Sequence, residues 1–330
     1  MAIQPINSGL APAGRPAHPD KPLFQRIRAN IWSYVLVLPM VVLTVMFVWY
    51  PMLASIRYAF YNWNGFGEPD QFVGWRHFVT VATDEFFWKA LRNTVVFTAV
   101  LVPVQLLLAL AMALVLNNPR LRGAQIFRAL FFIPAVCSIA VLAVPLRLLF
   151  TQLNANIPAP LIEAGLFNPS MGFLGDPRLA LATVIGVGVW HTFGYNLVFF
   201  LAALQSVPQE LYEAATVDGA GRWEKFWHIT VPLIRPVGVI ILFLAILGSM
   251  KVFDLVLVLT NGGPFYATEV VNTYIYSYAF SNSRVGAQQP NLGYASAASL
   301  FVSVLLLVIT AVQLWAVGRA RRQREQYELR

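Results

Sequence analysis

The sequence predicts an all-α membrane protein built as a bundle of six spanning helices. Three observations carry that expectation. Of the 330 residues, 58% are hydrophobic and only 12% are charged, where a soluble domain has about 25% charged residues. Six apolar runs each reach the ~20 residues a bilayer needs: 31–58, 91–117, 126–150, 178–206, 231–260 and 294–318. None alternates apolar and polar residues as a half-buried strand does, and only helices or closed barrels satisfy every backbone group in lipid.

Residues 1–29 are polar, with Pro and Arg. They are expected to form a mobile cytoplasmic tail ahead of one membrane domain, 30–318. The apolar core that follows is too long for a signal peptide, and no small-residue cleavage site ends it. The first run closes on Trp49, Tyr50 and Pro51 and continues through Tyr58, Tyr61 and Trp63, an aromatic belt suited to a membrane interface. The loop 59–90 carries Phe72-Val73-Gly74-Trp75 and Phe86-Phe87-Trp88, apolar enough to pack on the bundle or on a partner. A short basic turn, Asn117 to Arg128, returns the chain to the third run. Segment 151–177 is rich in Pro, Gly and Asn and predicts short helical pieces and turns. The fourth run carries Gly186, Gly188 and Gly194, and glycine on a helix face lets helices approach closely in membranes. Residues 267–282 read as an aromatic, amphipathic outer helix with Tyr274, Tyr276, Tyr278 and Phe280. A basic tail, 319–330, follows the sixth run. No internal repeat is evident at periods of about twenty to fifty residues.

Charge sets the orientation. With the N-terminus inside, fifteen of the 23 Lys and Arg residues fall on cytoplasmic segments, seven fall on outer ones, and Lys251 is left inside a span. Both termini and the loop between the fourth and fifth runs are therefore expected on the cytoplasmic side. The net charge of +8 serves orientation and lipid headgroups, which argues against nucleic acid as a partner. Cys137 is the one cysteine, and the four histidines are scattered, so neither a disulfide framework nor a metal site is expected. No phosphate-binding Gly-rich loop followed by Lys-Ser or Lys-Thr, no HExxH and no GxSxG is present. ATP hydrolysis, if it drives this protein, belongs to another chain.

The polar stretch Ser206–Pro236 has helical order of its own. Ser206 and Gln209 have capping-box spacing, with Pro208 early in the helix. Gly219 and Gly221 break that helix. A second short helix then places Trp223, Phe226 and Trp227 at i, i+3, i+4, and Pro232 and Pro236 are expected to end it. Spacing alone leaves two readings level: a docking element, or an amphipathic loop adsorbed on lipid.

Here a family resemblance enters. Glu213-Ala214-Ala215, Asp218-Gly219-Ala220, Phe226, Ile229 and Pro232 resemble the EAA loop of the membrane subunits of binding-protein-dependent ABC importers. The match fixes nine positions over twenty residues. Phe72-Val73-Gly74, Ala90-Leu91-Arg92-Asn93-Thr94 and Leu259-Thr260-Asn261-Gly262-Gly263-Pro264 with Ala267-Thr268-Glu269 resemble the sugar-permease branch. The resemblance implies a type I permease bundle in a bacterial or archaeal cytoplasmic membrane, with a cytoplasmic coupling helix. It implies a second permease as heterodimer partner, two ATPase subunits that hold ATP and Mg, an extracytoplasmic solute-binding protein, and a sugar substrate. By the same resemblance Glu213 meets a basic residue of the ATPase, Ala214 and Ala215 let the helix sink into its groove, and Asp218 belongs to the docking motif. Gly219 is the bend, and Trp223 and Phe226 fill the remaining contact or fix the loop to the membrane helices.

In that family the spans flanking the loop line the solute path. Tyr195, Asn196, Ser249, Lys251, Phe253 and Asp254 are then candidates to face it, offering rings for sugar CH groups and polar groups for hydroxyls. Asparagines dominate the maltose-type site, whereas Ser249, Met250, Lys251 and Val252 stand here. Lys251 and Asp254, three apart, have two readings: an ion pair sealing the bundle, or a hydrophilic lining. Two alternatives to sugar import remain open. One is an ABC permease for a solute such as a glycerol phosphate ester, whose anion would suit Lys251. The other is an ion-coupled secondary transporter, which would call for an inverted repeat and discontinuous helices; neither is visible in the sequence.

Overall fold

The computed structural model describes residues 31–118, 121–154, 157, 162–163, 171–280 and 289–328. The expected tail 1–29, and Pro158, Pro160, Gly165 and Pro169 of the third outer segment, lie outside the described residues. Apart from an antiparallel bridge between Tyr61 and Phe72, the described residues form helices, turns and loops. The chain divides into two compact units at Ala54–Ser55.

The first unit holds an apolar helix, α1 (Ile31–Thr44), that passes through a wide π-type turn, Val45–Trp49, into the start of α2 (Tyr50–Tyr58), within which the unit ends at Ala54. The wide turn has a cause in Pro51. A proline ring presses on the carbonyl four residues back, and the longer Tyr50 N–H to Val45 O bond opens the helix just ahead of it.

The second unit is built around α4 (Glu85–Leu116) and α8 (Ala180–Gln205), which pack along each other. The glycines of α8 do what their positions predict at two of three sites. A Cβ at Gly188 would meet Leu101 Cδ1 at 2.6 Å, and one at Gly194 would meet the Phe131 carbonyl oxygen at 2.4 Å. A Cβ at Gly186 would meet nothing within 4 Å among the described residues. The helices α5 (Ala124–Val136) and α11 (Val231–Met250) pack on α8 as well. Buried side chains form three clusters along the bundle. One centres on Phe87, Leu91, Val271 and Tyr274, one on Leu101, Val184, Leu255 and Leu259, and one on Ala113, Leu197, Leu204 and Ile241.

Two of the six expected spans are not single rods. The run expected over 126–150 is α5 followed by α6 (Ile139–Asn154), bent by 97° at Cys137–Ser138. Cys137 is extended there, and Ser138 O accepts from Val141 and Leu142 N–H to start the next helix. The run expected over 231–260 stops at Met250 and resumes as α12 (Asp254–Leu259). Among the described residues, five helical runs are long and apolar enough to cross a membrane, or six with the bent pair counted as one.

The expected outer helix 267–282 is shorter, α13 (Val271–Ala279), and it packs on α14 (Leu292–Glu328). The loop 59–90 folds onto the bundle. Its helix α3 (Arg76–Thr83) packs on α14, and Trp63 O accepts from Gly293 N–H at 3.1 Å. A Cβ at Gly293 would lie 1.9 Å from the Tyr61 carbonyl oxygen. His77 Nε2 donates to the same oxygen at 3.2 Å, and burial holds that imidazole below its usual pKa. Asp84 ties this end together. Its Oδ1 caps α4 by accepting from Phe86 N at 2.8 Å and Phe87 N at 3.4 Å. Its Oδ2 accepts from Tyr274 OH at 2.5 Å and Tyr294 OH at 3.1 Å. Burial, and then the bond to Asp84, push the Tyr274 hydroxyl well above its ordinary pKa, so it stays a donor.

Asp84→Ala removes a helix cap and the shared acceptor of two buried tyrosines. It should destabilise the protein by about 2–4 kcal/mol, with a smaller loss for Tyr274→Phe. Thermal unfolding in detergent measures both, and an unchanged midpoint for Asp84→Ala would remove the network from the account of this fold.

Candidate functional site

Both helix breaks border one cavity of about 350 Å³. Ile139, the first residue after the α5–α6 bend, lines it, and so do Lys251, Val252 and Phe253 of the α11–α12 break. Interrupted backbone at membrane depth is tolerated where other groups satisfy it, and here side chains do so. His191 Nε2 on α8 donates to Cys137 O at 3.1 Å. Asn272 Nδ2 on α13 donates to Val252 O at 3.2 Å and lies 3.5 Å from Met250 O. Neither pairing was legible in the sequence, because each joins residues far apart in the chain.

The cavity brings all six expected path residues together: Tyr195, Asn196, Ser249, Lys251, Phe253 and Asp254. Asn196 and Ser249 are buried; Tyr195, Lys251 and Asp254 are exposed. The polar tips of two are partly engaged. Asn196 Nδ2 donates to Thr192 O at 3.3 Å and Ser249 Oγ to Ile246 O at 2.9 Å. Phe253 packs against Tyr276 with ring centroids 5.2 Å apart, and Tyr195 against Phe132 at 5.7 Å. The expected option of a Lys251–Asp254 ion pair is not realised. The helix ends at Met250, and Phe253 (φ −147°, ψ −69°) leaves helical geometry. The three-residue spacing therefore no longer sets the two charges on one face. Sequence reasoning missed Gln105 and Thr192, which also line the cavity. Their signal was an amide and a hydroxyl near the middle of apolar runs.

The α12 helix joins this cavity to a second one. Leu255 lines the first, and Leu259 lines a cavity of about 650 Å³ shared with Arg147, Thr151 and Asn154. Between them Leu255, Val256 and Leu259 are buried in the central cluster.

The Ser206–Pro236 stretch is more rigid than two linked helices. The first helix is α9 (Gln209–Val217). Ser206 does not cap it; its Oγ turns back to Ala203 O at 2.8 Å and closes α8, while Gln209 Nε2 donates to Glu213 Oε1 at 3.0 Å. Thus the expected capping box is absent. The helix stops by a Schellman arrangement: Ala220 N–H reaches Ala215 O, Gly219 N–H reaches Thr216 O, and Gly219 sits at φ +82°. Asp218 is the C-cap, one residue past the helix end at Val217. Gly221 has ordinary dihedrals and starts the next helix, its N–H held by Glu224 Oε2 at 2.7 Å.

That next helix is not ended by Pro232 and Pro236. The short α10 (Arg222–Lys225) runs through a π-type turn, Phe226–Thr230, directly into α11. The π turn again precedes a proline, with Val231 N–H on Phe226 O. Residues 222–250 therefore form one helical run, roughly 40 Å long at ~1.5 Å per residue. Two cross-links pin α9 to its start: Tyr212 OH to Thr230 Oγ1 at 2.9 Å, and Lys225 Nζ to Thr216 Oγ1 at 2.7 Å. Glu213 and Ala214 are exposed and Ala215 is half-buried. Trp223, 71% exposed, stacks on Phe226 with ring centroids 5.6 Å apart.

A helical membrane bundle with two broken spans around a polar cavity, joined by one rod to an exposed helical loop, has the form of a transport subunit. Residues 105–322 match the family described as binding-protein-dependent transport system inner membrane component, and the chain belongs to that family. It is a multi-pass component of a binding-protein-dependent transport system, not an enzyme. The lactose transport system permease protein LacF of Rhizobium radiobacter is 33% identical over 87% of this chain and 93% of its own. The sn-glycerol-3-phosphate transport system permease protein UgpA of Yersinia pestis is 30% identical over 88% and 95%. Among solved structures, a chain of a bacterial alginate ABC transporter, in complex with an alginate pentasaccharide-bound periplasmic protein, matches with a TM-score of 0.72. It is 26% identical and covers 89% of this chain and 96% of that one. The broken spans, which the sequence did not reveal, therefore belong to an importer subunit and do not favour the ion-coupled alternative.

His191→Leu strips the donor from Cys137 O and should cost about 1–3 kcal/mol, as should Asn272→Leu at the other break. Unfolding midpoints in detergent test this, and two neutral substitutions would show that the breaks do not depend on these donors.

Proposed function

We propose that the chain is the carbohydrate-translocating permease of an ATP-driven importer, working by alternating access. The observation that carries the reading is the continuous helical run 222–250, which joins the exposed loop at one end to the polar cavity at the other. A push on α9 is transmitted through the Tyr212–Thr230 and Lys225–Thr216 links into that run, and a rigid lever converts closure of an ATPase pair into a tilt of the span. Glu213, Ala214 and Ala215 form the inserted face, Asp218 and Gly219 its end, and Trp223 and Phe226 the flank. The partners in this reading are a second permease, two ATPase chains binding ATP and Mg, and an extracytoplasmic binding protein. The chain itself needs no cofactor. Both termini and the loop face the cytoplasm, in keeping with the distribution of Lys and Arg.

The substrate class follows from the cavity and the relatives. Aromatic rings at Tyr195, Phe199 and Phe253 beside Asn196, Ser249 and Asp254 suit a solute with CH faces and many hydroxyls, and lactose and alginate systems stand among the relatives. A second reading, a phosphorylated polyol, is favoured by Lys251 in the cavity and by the likeness to UgpA.

The complete importer in liposomes, with its binding protein, decides between them. Uptake of neutral disaccharides with no uptake of sn-glycerol 3-phosphate supports the first reading, and the reverse supports the second. Glu213→Lys should abolish co-purification of the ATPase. Tyr212→Phe should leave co-purification intact and lower solute-stimulated ATP hydrolysis several-fold. Retained ATPase binding in Glu213→Lys would overturn the docking assignment.

A further inference from the structure

The same cavity is bordered by an amide that no expectation singled out. Gln105 lies on α4 and is only 2% exposed, yet it lines the cavity. Thr192 Oγ1, on α8, bonds one atom of its amide. The Thr192 hydroxyl has a single proton and also sits 2.8 Å from Gly188 O. If the proton goes to Gly188 O, the hydroxyl accepts from the amide N–H; if it goes to Gln105, the amide oxygen accepts it. In either arrangement Thr192 uses one atom of the amide, and the other has no hydrogen-bond partner among the described residues. That second atom is not sealed in the core, as Thr98 Oγ1 and Arg128 Nε are, so the cavity is where its partner must come from. A buried amide left without a partner is costly. Two other polar tips around the cavity are already engaged: Ser249 Oγ donates to Ile246 O and His191 Nε2 donates to Cys137 O.

We propose that Gln105 is a specificity-determining contact of the transport cavity, its open amide atom hydrogen-bonding a hydroxyl of the solute, with Thr192 as the positioning residue that fixes the amide. A hydroxyl both donates and accepts, so it satisfies either orientation of the amide. The inference rests on the carbohydrate reading above and adds a residue of the second span to a site otherwise drawn from α8, α11 and the break before α12. An apolar residue of similar length removes the contact without leaving an orphan, because Thr192 can still bond Gly188 O.

The test uses the complete importer in liposomes with its binding protein, and lactose and maltose as solutes. Gln105→Met should assemble normally and lose about tenfold in uptake rate, the worth of about one hydrogen bond to solute. Monodeoxy analogues of the transported sugar give a readout that a structural role would not move. One of them should be taken up about tenfold more slowly than the parent by the unaltered importer, yet as fast as the parent by Gln105→Met, since the same bond cannot be lost twice. Thr192→Val should show a smaller loss on the same analogue. Uptake of neither sugar by the unaltered importer would overturn the carbohydrate reading and this inference with it. Uptake by the unaltered importer that Gln105→Met leaves unchanged, or equal sensitivity of both proteins to every deoxy analogue, would overturn the inference alone. If Gln105→Met does not assemble, Gln105→Asn, which keeps the amide but withdraws it by one methylene, takes its place. Failure of both to assemble would assign Gln105 to helix packing and overturn the inference.

Discussion

A backbone carbonyl released inside a membrane-spanning segment needs a donor, because lipid offers none. Two features of this protein depend on meeting that need. The α5–α6 bend frees Cys137 O, and His191 supplies the donor; the α11–α12 break frees Val252 O, and Asn272 supplies it. Each donor offsets the cost of a carbonyl released at its break. Histidine and asparagine inside apolar surroundings are expensive. Here that cost is offset by the backbone they satisfy, so His191 has a structural duty that its titratable ring would not suggest.

The two ends of the bundle are held by directional bonds between elements, whereas its central cluster is apolar. At one end Asp84 joins the start of α4 to tyrosines on α13 and α14. At the other, Tyr212 and Lys225 join α9 to the root of α11. The central cluster of Leu101, Val184, Leu255 and Leu259 is apolar, and apolar contacts are non-directional. Rearranging that layer exchanges one set of contacts for another without leaving a donor or acceptor unpaired.

Much of this was legible in the sequence. Apolar runs of the right length gave the spans, and Gly188 and Gly194 gave close approaches of α8 to its neighbours. Asp218-Gly219-Ala220 marked the helix stop, which the positive φ of Gly219 realises. The six path residues, singled out by the family resemblance, line one cavity. What stayed hidden has a common cause. Hydropathy does not register a three-residue break such as Lys251–Phe253, and a bend at Cys137–Ser138 leaves an apolar run apolar. The donors at the breaks, and the Gln105–Thr192 contact, depend on tertiary pairing across 54, 20 and 87 residues of chain. Pro232 misled for a different reason: proline forbids an ordinary helical bond, but the π turn ahead of it accommodates the ring and the helix continues, and it runs on through Pro236.

That last point bears on mechanism. Had the prolines ended a separate short helix, the loop would meet the fifth span through a hinge, and a push at Glu213 would be absorbed as bending before it reached Ser249. A continuous run has no such joint. The first place along it where the backbone leaves helical geometry is Lys251–Phe253, beside the cavity. In the coupling reading proposed above, a rotation imposed at the loop end travels along this run to the break, where Asn272 donates to Val252 O and Lys251 and Asp254 line the cavity without pairing to each other. The break then gives the run a change of direction beside the cavity, in addition to the π turn near the loop.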